Sequence, residues 1–261
     1  MNKSVRYLLR LTVCVLMLVS ICGCSKSDRI SSIRDLSGKR IGVQSGTTSE
    51  ELLMNHDAIH DTHITSYQSS YAAVADLMTG TIDAVVVDYL PATKLVSKYR
   101  DLTIVADTFP VEEYAIAVKK GNKELLDMIN DGIESIRNSG EYAELIEAFM
   151  PIDGEVVVPE RMRISGTNKL LIGTNAAFPP FEYLDGGDVI GFDMCIIQMI
   201  ALRHDMQPIV KDMEFVNLLK ALQDGVVDCV IAGMSVTKER AAMVDFSKPY
   251  FSSHQVIIVK K

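Results

Sequence analysis

Short apolar runs alternate with amphipathic stretches along most of the chain. In the first half, residues 40–43, 82–87, 102–105 and 114–118 read as strands. The run 82–87 is apolar apart from Asp83, the pattern of a strand buried on both faces. Residues 46–51 form a loop opening into a helix, with hydroxyl residues as caps and Glu50 and Glu51 in the first turn. Residues 71–78 are helical and stop at Gly80. Residues 122–149 form two helices divided near Gly140. In the second half, residues 170–172, 226–232 and 255–259 read as strands and 192–203 and 215–222 as helices, with a rigid loop at 178–183. This alternation predicts an α/β fold with mainly parallel sheets.

One stretch repeats. Residues 77–88 match 222–233: a helix ends at Gly80 or Gly225, then Asp83 or Asp228 opens an apolar strand. Asp88 and Gly233 stand at equivalent strand ends, where open α/β sheets place their crevices. Asp83 and Asp228 read as residues that close the helix–strand turn rather than as ligands.

Residues 1–23 differ from the rest. Lys3, Arg6 and Arg10 precede an apolar run over residues 11–21, which is too short to span a bilayer. This reads as an export signal, and Cys24 after Gly23 reads as a lipidation site. A plain secretion signal, or a short anchor, is the other reading. The leader has no acid, so the rest of the chain is more acidic than the overall net charge of −8. That disfavours nucleic acid and anionic lipid as partners. With 48% apolar and 23% charged residues the composition is that of a globular protein. Cys195 and Cys229 lie in apolar runs and read as buried free thiols, and no Cys/His spacing suggests zinc or another cofactor.

Four features carry chemistry. Gly233, Ser235 and Arg240 lie on a strand-to-helix turn, where exposed N–H groups and an arginine fork suit a carboxylate. Alone, the same pattern is a capped surface helix with a solvated arginine. Gln44, Thr47 and Thr48 flank Gly46 on a second such turn. Asp88 follows an apolar strand and needs a partner, either a ligand ammonium or a structural arginine. Phe178 and Phe215 stand near loops, as pocket walls or as core. No catalytic set appears among the five histidines, and no phosphate-cradling loop or nucleophile elbow is present.

Together these segments resemble bacterial extracellular solute-binding proteins of family 3, the receptors of polar amino-acid ABC transporters. The motifs are residues 173–183 (Gly173 to Tyr183, with Phe178, Pro179, Pro180, Phe181 and Glu182), then Gly191-Phe192-Asp193, residues 231–240 and residues 244–250. Residues 42–48 and 83–88 resemble the family's other lobe, and residues 113–118 and 140–142 its returning strand and closing helices. The resemblance implies a two-lobed periplasmic-binding-protein type II fold, each lobe a mostly parallel sheet flanked by helices, with the lobe order permuted. The implied layout is a signal at 1–23, a tether at 24–32, the second-type lobe at 33–111 and the hinge strand with closing helices at 112–150. A connection at 151–168 and the first-type lobe at 169–261 follow. One covalent hinge strand, at 114–118, is implied to remain. The rival is a fragment spanning two tandem receptors.

The resemblance also implies roles. Arg240, with N–H groups of Ser235 and of Thr47 or Thr48, holds a ligand α-carboxylate. Asp88, the Gly233 carbonyl and the Ser235 hydroxyl hold its α-ammonium. Phe178 and Phe215 pack the ligand side chain, and Asn175 and Gln44 face its tip. Asn175 stands where many relatives carry Asp, which lowers the expectation of a cationic ligand, and Cys195 replaces a common acid. The implied function is a non-enzymatic, lipid-anchored, extracytoplasmic amino-acid receptor serving an ABC permease. A sensory module and a dehydratase-like enzyme on the same fold are the alternatives.

Overall fold

The structure is a computed structural model describing residues 29–151, 156–159 and 166–261. The chain divides into Met1–Ile30 and a compact unit, Ser31–Lys261. The export signal, Cys24 and most of the tether lie outside the described residues, as does most of the connection at 151–168.

In chain order the compact unit contains β1 (Arg40–Gln44), α1 (Thr48–Asn55), β2 (His63–Tyr67), α2 (Ser70–Thr79), β3 (Ala84–Asp88), α3 (Tyr89–Lys98) and β4 (Leu102–Tyr114). Next come β5 (Ala117–Lys119), α4 (Lys123–Ser139), α5 (Glu141–Phe149), β6 (Asn168–Thr174), β7 (Ala177–Phe178), β8 (Glu182–Asp185) and β9 (Asp188–Ile190). The rest are α6 (Phe192–Arg203), β10 (Met206–Asp212), α7 (Leu218–Gln223), β11 (Cys229–Val230), α8 (Lys238–Met243), β12 (Val244–Phe246) and β13 (Phe251–Lys260).

Two five-stranded sheets form two lobes, with orders β2-β1-β3-β13-β4 and β10-β6-β11-β5-β12. In each, the first three strands are parallel, and the last two add antiparallel. A small antiparallel sheet, β7-β8-β9, completes the second lobe. Parallel strands need crossover helices, so each sheet carries helices as the alternating pattern predicts.

The placement of the last strand corrects the sequence reading. The sequence pattern places the strand at 255–259 with the lobe of residues 169–261, but β13 pairs with β3 and β4 in the other sheet. Val256, Ile257 and Ile258 are fully buried there, and central strands of such sheets are apolar on both faces. The chain therefore passes between lobes twice, at 115–116 and at 247–250, rather than by a single hinge strand. Backbone bonds tie the two passages together, with Tyr250 N–H donating to the Tyr114 carbonyl (2.8 Å) and Ser247 N–H to that of Ile116 (2.9 Å).

An aromatic cluster packs against this hinge. Tyr114, Phe181, Phe192, Tyr250 and Phe251 have ring centroids 5.0–6.4 Å apart. Four of them, Tyr114, Phe181, Phe192 and Tyr250, are fully buried. Burial of that size, roughly 1.5–3 kcal/mol per large apolar side chain, fixes the base from which the two lobes extend. Cys229 is buried and Cys195 half-buried, and both are free thiols. Burial pushes the Cys195 thiol up to about 11.

Candidate functional site

The repeated segment builds both walls of the site. In one lobe Arg40 N–H donates to Asp83 Oδ2 (2.9 Å), and Asp83 N–H returns a bond to the Arg40 carbonyl (2.7 Å). In the other, Leu171 N–H donates to Asp228 Oδ2 (2.8 Å), and Asp228 N–H to the Leu171 carbonyl (2.7 Å). Each aspartate thus locks its turn to the neighbouring parallel strand. Five residues on, Asp88 and Gly233 reach the carboxyl ends of their sheets, the usual place for a crevice.

The structure brings all ten candidate residues to one cavity. Gln44, Thr47, Thr48 and Asp88 come from one lobe, and Asn175, Phe178, Phe215, Gly233, Ser235 and Arg240 from the other. Two residues that sequence reasoning did not select, Glu182 and Ala232, also line it. The free space is about 20 Å³, room for about one water molecule. The lobes meet directly over it. Gln44 Nε2 donates to Asn175 Oδ1 (2.8 Å), and Gln68 Nε2 to Glu214 Oε1 (2.8 Å).

Loop geometry explains the close approach. Gly46 has φ +76°, and a Cβ there would lie 3.2 Å from Val216 of the facing lobe. Gly233 has φ +52°, and a Cβ there would lie 2.6 Å from the Phe178 ring. Both positions have a left-handed backbone; a side chain at Gly233 would clash with Phe178, and one at Gly46 would crowd Val216.

Arg240 is 8% exposed. Its guanidinium donates to the Ser235 carbonyl (2.8 Å) and, across the cleft, to the Gly46 carbonyl (2.9 Å). It lies 5.4 Å from the Phe215 ring centroid, a cation–π distance. Among the described residues it forms no ion pair. Burial pulls its pKa down, against the nearby charges of Glu112, Glu51 and Asp88.

Asp88 is 7% exposed and caps the start of α3. The Tyr114 hydroxyl donates to its Oδ1. Burial pushes its carboxyl up to about 6, opposed by the Tyr114 bond and reinforced by Glu112. It too forms no ion pair among the described residues. One cavity therefore holds a buried cation on one lobe and a buried carboxylate on the other, neither in a direct ion pair among the described residues. Buried charges of that kind are costly unless paired.

Glu112 is a further residue that the pattern did not mark. Its Oε2 accepts from the Thr48 hydroxyl (2.7 Å) and from the Ser235 hydroxyl, one from each lobe. It sits two residues before Tyr114, beside the bridge between Tyr114 and Ser235. A second cleft of about 270 Å³ opens there, lined by Glu51, Leu52, His56, Glu112 and Thr237 among others. A half-buried acid near the end of β4 gives no periodic signal, so only the fold shows its place.

Among the described residues no group of His, Cys, Asp or Glu is placed to hold a metal. No described helix is long and apolar enough to cross a membrane.

Comparison with known proteins adds a lineage. Residues 170–261 match the model of bacterial extracellular solute-binding proteins, family 3. Residues 16–126 match a second model, NMT1/THI5 like. The chain is similar to the arginine-binding extracellular protein ArtP of Bacillus subtilis, 40% identical over 37% of this chain and 38% of that protein. It is also similar to the L-cystine-binding protein TcyJ of Escherichia coli, 34% identical over 48% of this chain and 46% of that protein. The chain thus spans less than half the length of these relatives. A solved ancestral arginine-binding protein bound to arginine is 44% identical over 33% of this chain and 38% of its own, with a TM-score of 0.32.

Proposed function

We propose that this chain, related to the family 3 solute-binding proteins through residues 170–261, is an extracytoplasmic receptor for an amino acid. It binds the ligand between its two lobes and presents it to the permease of an ABC transporter. The observation carrying this reading is the pair of buried charges at one cavity, Arg240 on one wall and Asp88 on the other, neither in a direct ion pair among the described residues. A zwitterion supplies both missing counter-charges at a fixed short spacing.

In this reading the ligand α-carboxylate takes the two-pronged guanidinium of Arg240. N–H groups of Ser235 and of Thr47 or Thr48 complete its acceptors. The α-ammonium meets Asp88, the Gly233 carbonyl and the Ser235 hydroxyl. Phe178 and Phe215 pack the side chain, and Gln44 and Asn175 lie toward its tip. The names of the relatives, arginine-binding and L-cystine-binding, support a ligand of the amino-acid class.

The roughly 20 Å³ between the closed walls is far less than an amino acid needs. Entry therefore requires the lobes to part about the paired passages at 115–116 and 247–250. A ligand touching both walls then favours the closed form through contacts the open form lacks. We read Cys24 as the lipid-bearing residue that keeps the receptor at the membrane, and the lobe order as a circular permutation of the family's.

A thermal-shift screen with the twenty amino acids tests the reading. At a concentration of about 100 times Kd a ligand adds roughly 2.7 kcal/mol of stability, a rise of several degrees in Tm. A screen in which no amino acid raises Tm counts against it.

A further inference from the structure

Among the described residues, three buried carboxyl oxygens lack any hydrogen-bond donor: both oxygens of Glu182, and Oδ1 of Asp193. Both residues are fully buried. They belong to separate elements brought together at the backbone. Asp193 N–H, in the first turn of α6, donates to the Phe181 carbonyl (3.0 Å), directly before Glu182 on β8. That bond sets the two buried side chains beside each other, and the charge of Asp193 acts on the Glu182 carboxyl. If both were ionised, neither could donate to the other, because a carboxylate only accepts. Two like charges this close and this dry do not both ionise. One proton on the pair turns an acceptor into a donor and relieves the orphaned oxygens.

We infer that Glu182 and Asp193 share one proton, and that this acid–carboxylate pair is the brace holding the Gly233 peptide at the cavity wall. Asp193 is the ionised member. Its Oδ2 accepts from Gly233 N–H (2.9 Å) and from the Tyr250 hydroxyl (2.7 Å), both of which favour the charged form. Glu182 is the proton carrier. Its burial comes first, then the charge of Asp193, then those of Asp88 and Asp212, and all push its carboxyl well above the usual range. Asp193 is pushed up to about 6, mainly by burial. Glu182 also lines the cavity, and as a neutral acid it leaves Asp88 as the carboxylate available to an ammonium. That last consequence rests on the amino-acid reading; the brace does not.

The sign of the pH effect follows from linkage. The unfolded chain releases the Glu182 proton near pH 4.5, whereas the folded chain keeps it. Stability from the pair is complete below that pH and is lost as pH rises, with the folding constant falling about tenfold per pH unit until the folded group titrates. Glutamine at 182 would donate an N–H to Asp193 at every pH. The experiment is thermal unfolding of the full chain from pH 5 to 8 for wild type, Glu182→Gln and Glu182→Ala, with the Gly233 amide followed by NMR. We expect Glu182→Gln to match wild type at pH 5, to melt above it at pH 8, and to hold the Gly233 amide shift constant from pH 7 to 8, above the Asp193 titration. Glu182→Ala, with no donor, melts below both at pH 5. Parallel pH profiles for wild type and Glu182→Gln would overturn the inference. So would a Glu182→Gln protein that fails to fold or melts as low as Glu182→Ala at every pH. No readout uses a ligand, so this test stands or falls apart from the amino-acid reading.

Discussion

Replacing Arg240 by methionine keeps a long apolar stem and removes the charge. In the structure Arg240 is 8% exposed and donates to two carbonyls, Ser235 in its own lobe and Gly46 in the other. Among the described residues it has no carboxylate partner. Two effects therefore separate. For the protein without ligand, the loss of two hydrogen bonds is offset by relief of a buried, unpaired charge. A net change within about 1–2 kcal/mol, a few degrees in Tm, is the expected result. For binding, the ligand carboxylate is left desolvated without its counter-ion. Truncating one partner of a buried charge pair costs roughly 2–5 kcal/mol, or about 30-fold to more than 10³-fold in Kd. Calorimetry on an amino acid selected by thermal shift measures the second, and a thermal melt of the same sample measures the first. A Kd within about threefold of wild type would remove Arg240 from the site. A collapse of the fold would show that its role is structural.

Three further outcomes follow from the geometry. Asp88 titrates at about 6 because burial penalises its charge, and an ammonium ligand needs it ionised. Affinity measured by calorimetry should hold above pH 6 and fall about tenfold per pH unit below it; a flat profile between pH 5 and 7.5 would contradict the role. Gly233→Ala places a Cβ 2.6 Å from the Phe178 ring at φ +52°, which should cost about 1–3 kcal/mol and weaken binding; an unchanged Tm would refute the crowding argument. Glu112→Ala removes the acceptor shared by Thr48 and Ser235, so the lobes should part more readily and small-angle scattering should report a larger radius of gyration without ligand; an unchanged radius would show that the contact does not hold the lobes.

Much of the scaffold was legible because it rests on local rules. The buried runs around Val85 and Ile231 are apolar because both faces of their sheets are covered. The Asp83 and Asp228 turns repeat because both lobes solve the same helix-to-strand connection. The ten candidate residues converge because strand ends in such sheets face one crevice. What escaped depended on one local exception and on long-range pairing. Residues 89–98 carry Pro91, which weakens a helical reading, yet it sits in the first turn of α3, where proline is tolerated. The strand β13 could pair with either sheet on pattern alone, and only its register with β3 and β4 decides. Glu182 was part of a quoted motif, but nothing in its neighbours shows that it is buried against Asp193 and open to the cavity. Glu112 stands between the exposed Val111 and Glu113, and its value lies in two hydroxyls 64 and 123 residues away.

The central claim is that one zwitterion bridges Arg240 and Asp88. It is tested most directly by calorimetry with three compounds: the amino acid that raises Tm most, its α-carboxamide and its des-amino analogue. The account predicts measurable binding of the parent, with each analogue weakened at least about 30-fold, since each leaves one buried charge unpaired. Equal binding of either analogue, or no binding of any amino acid, would contradict it.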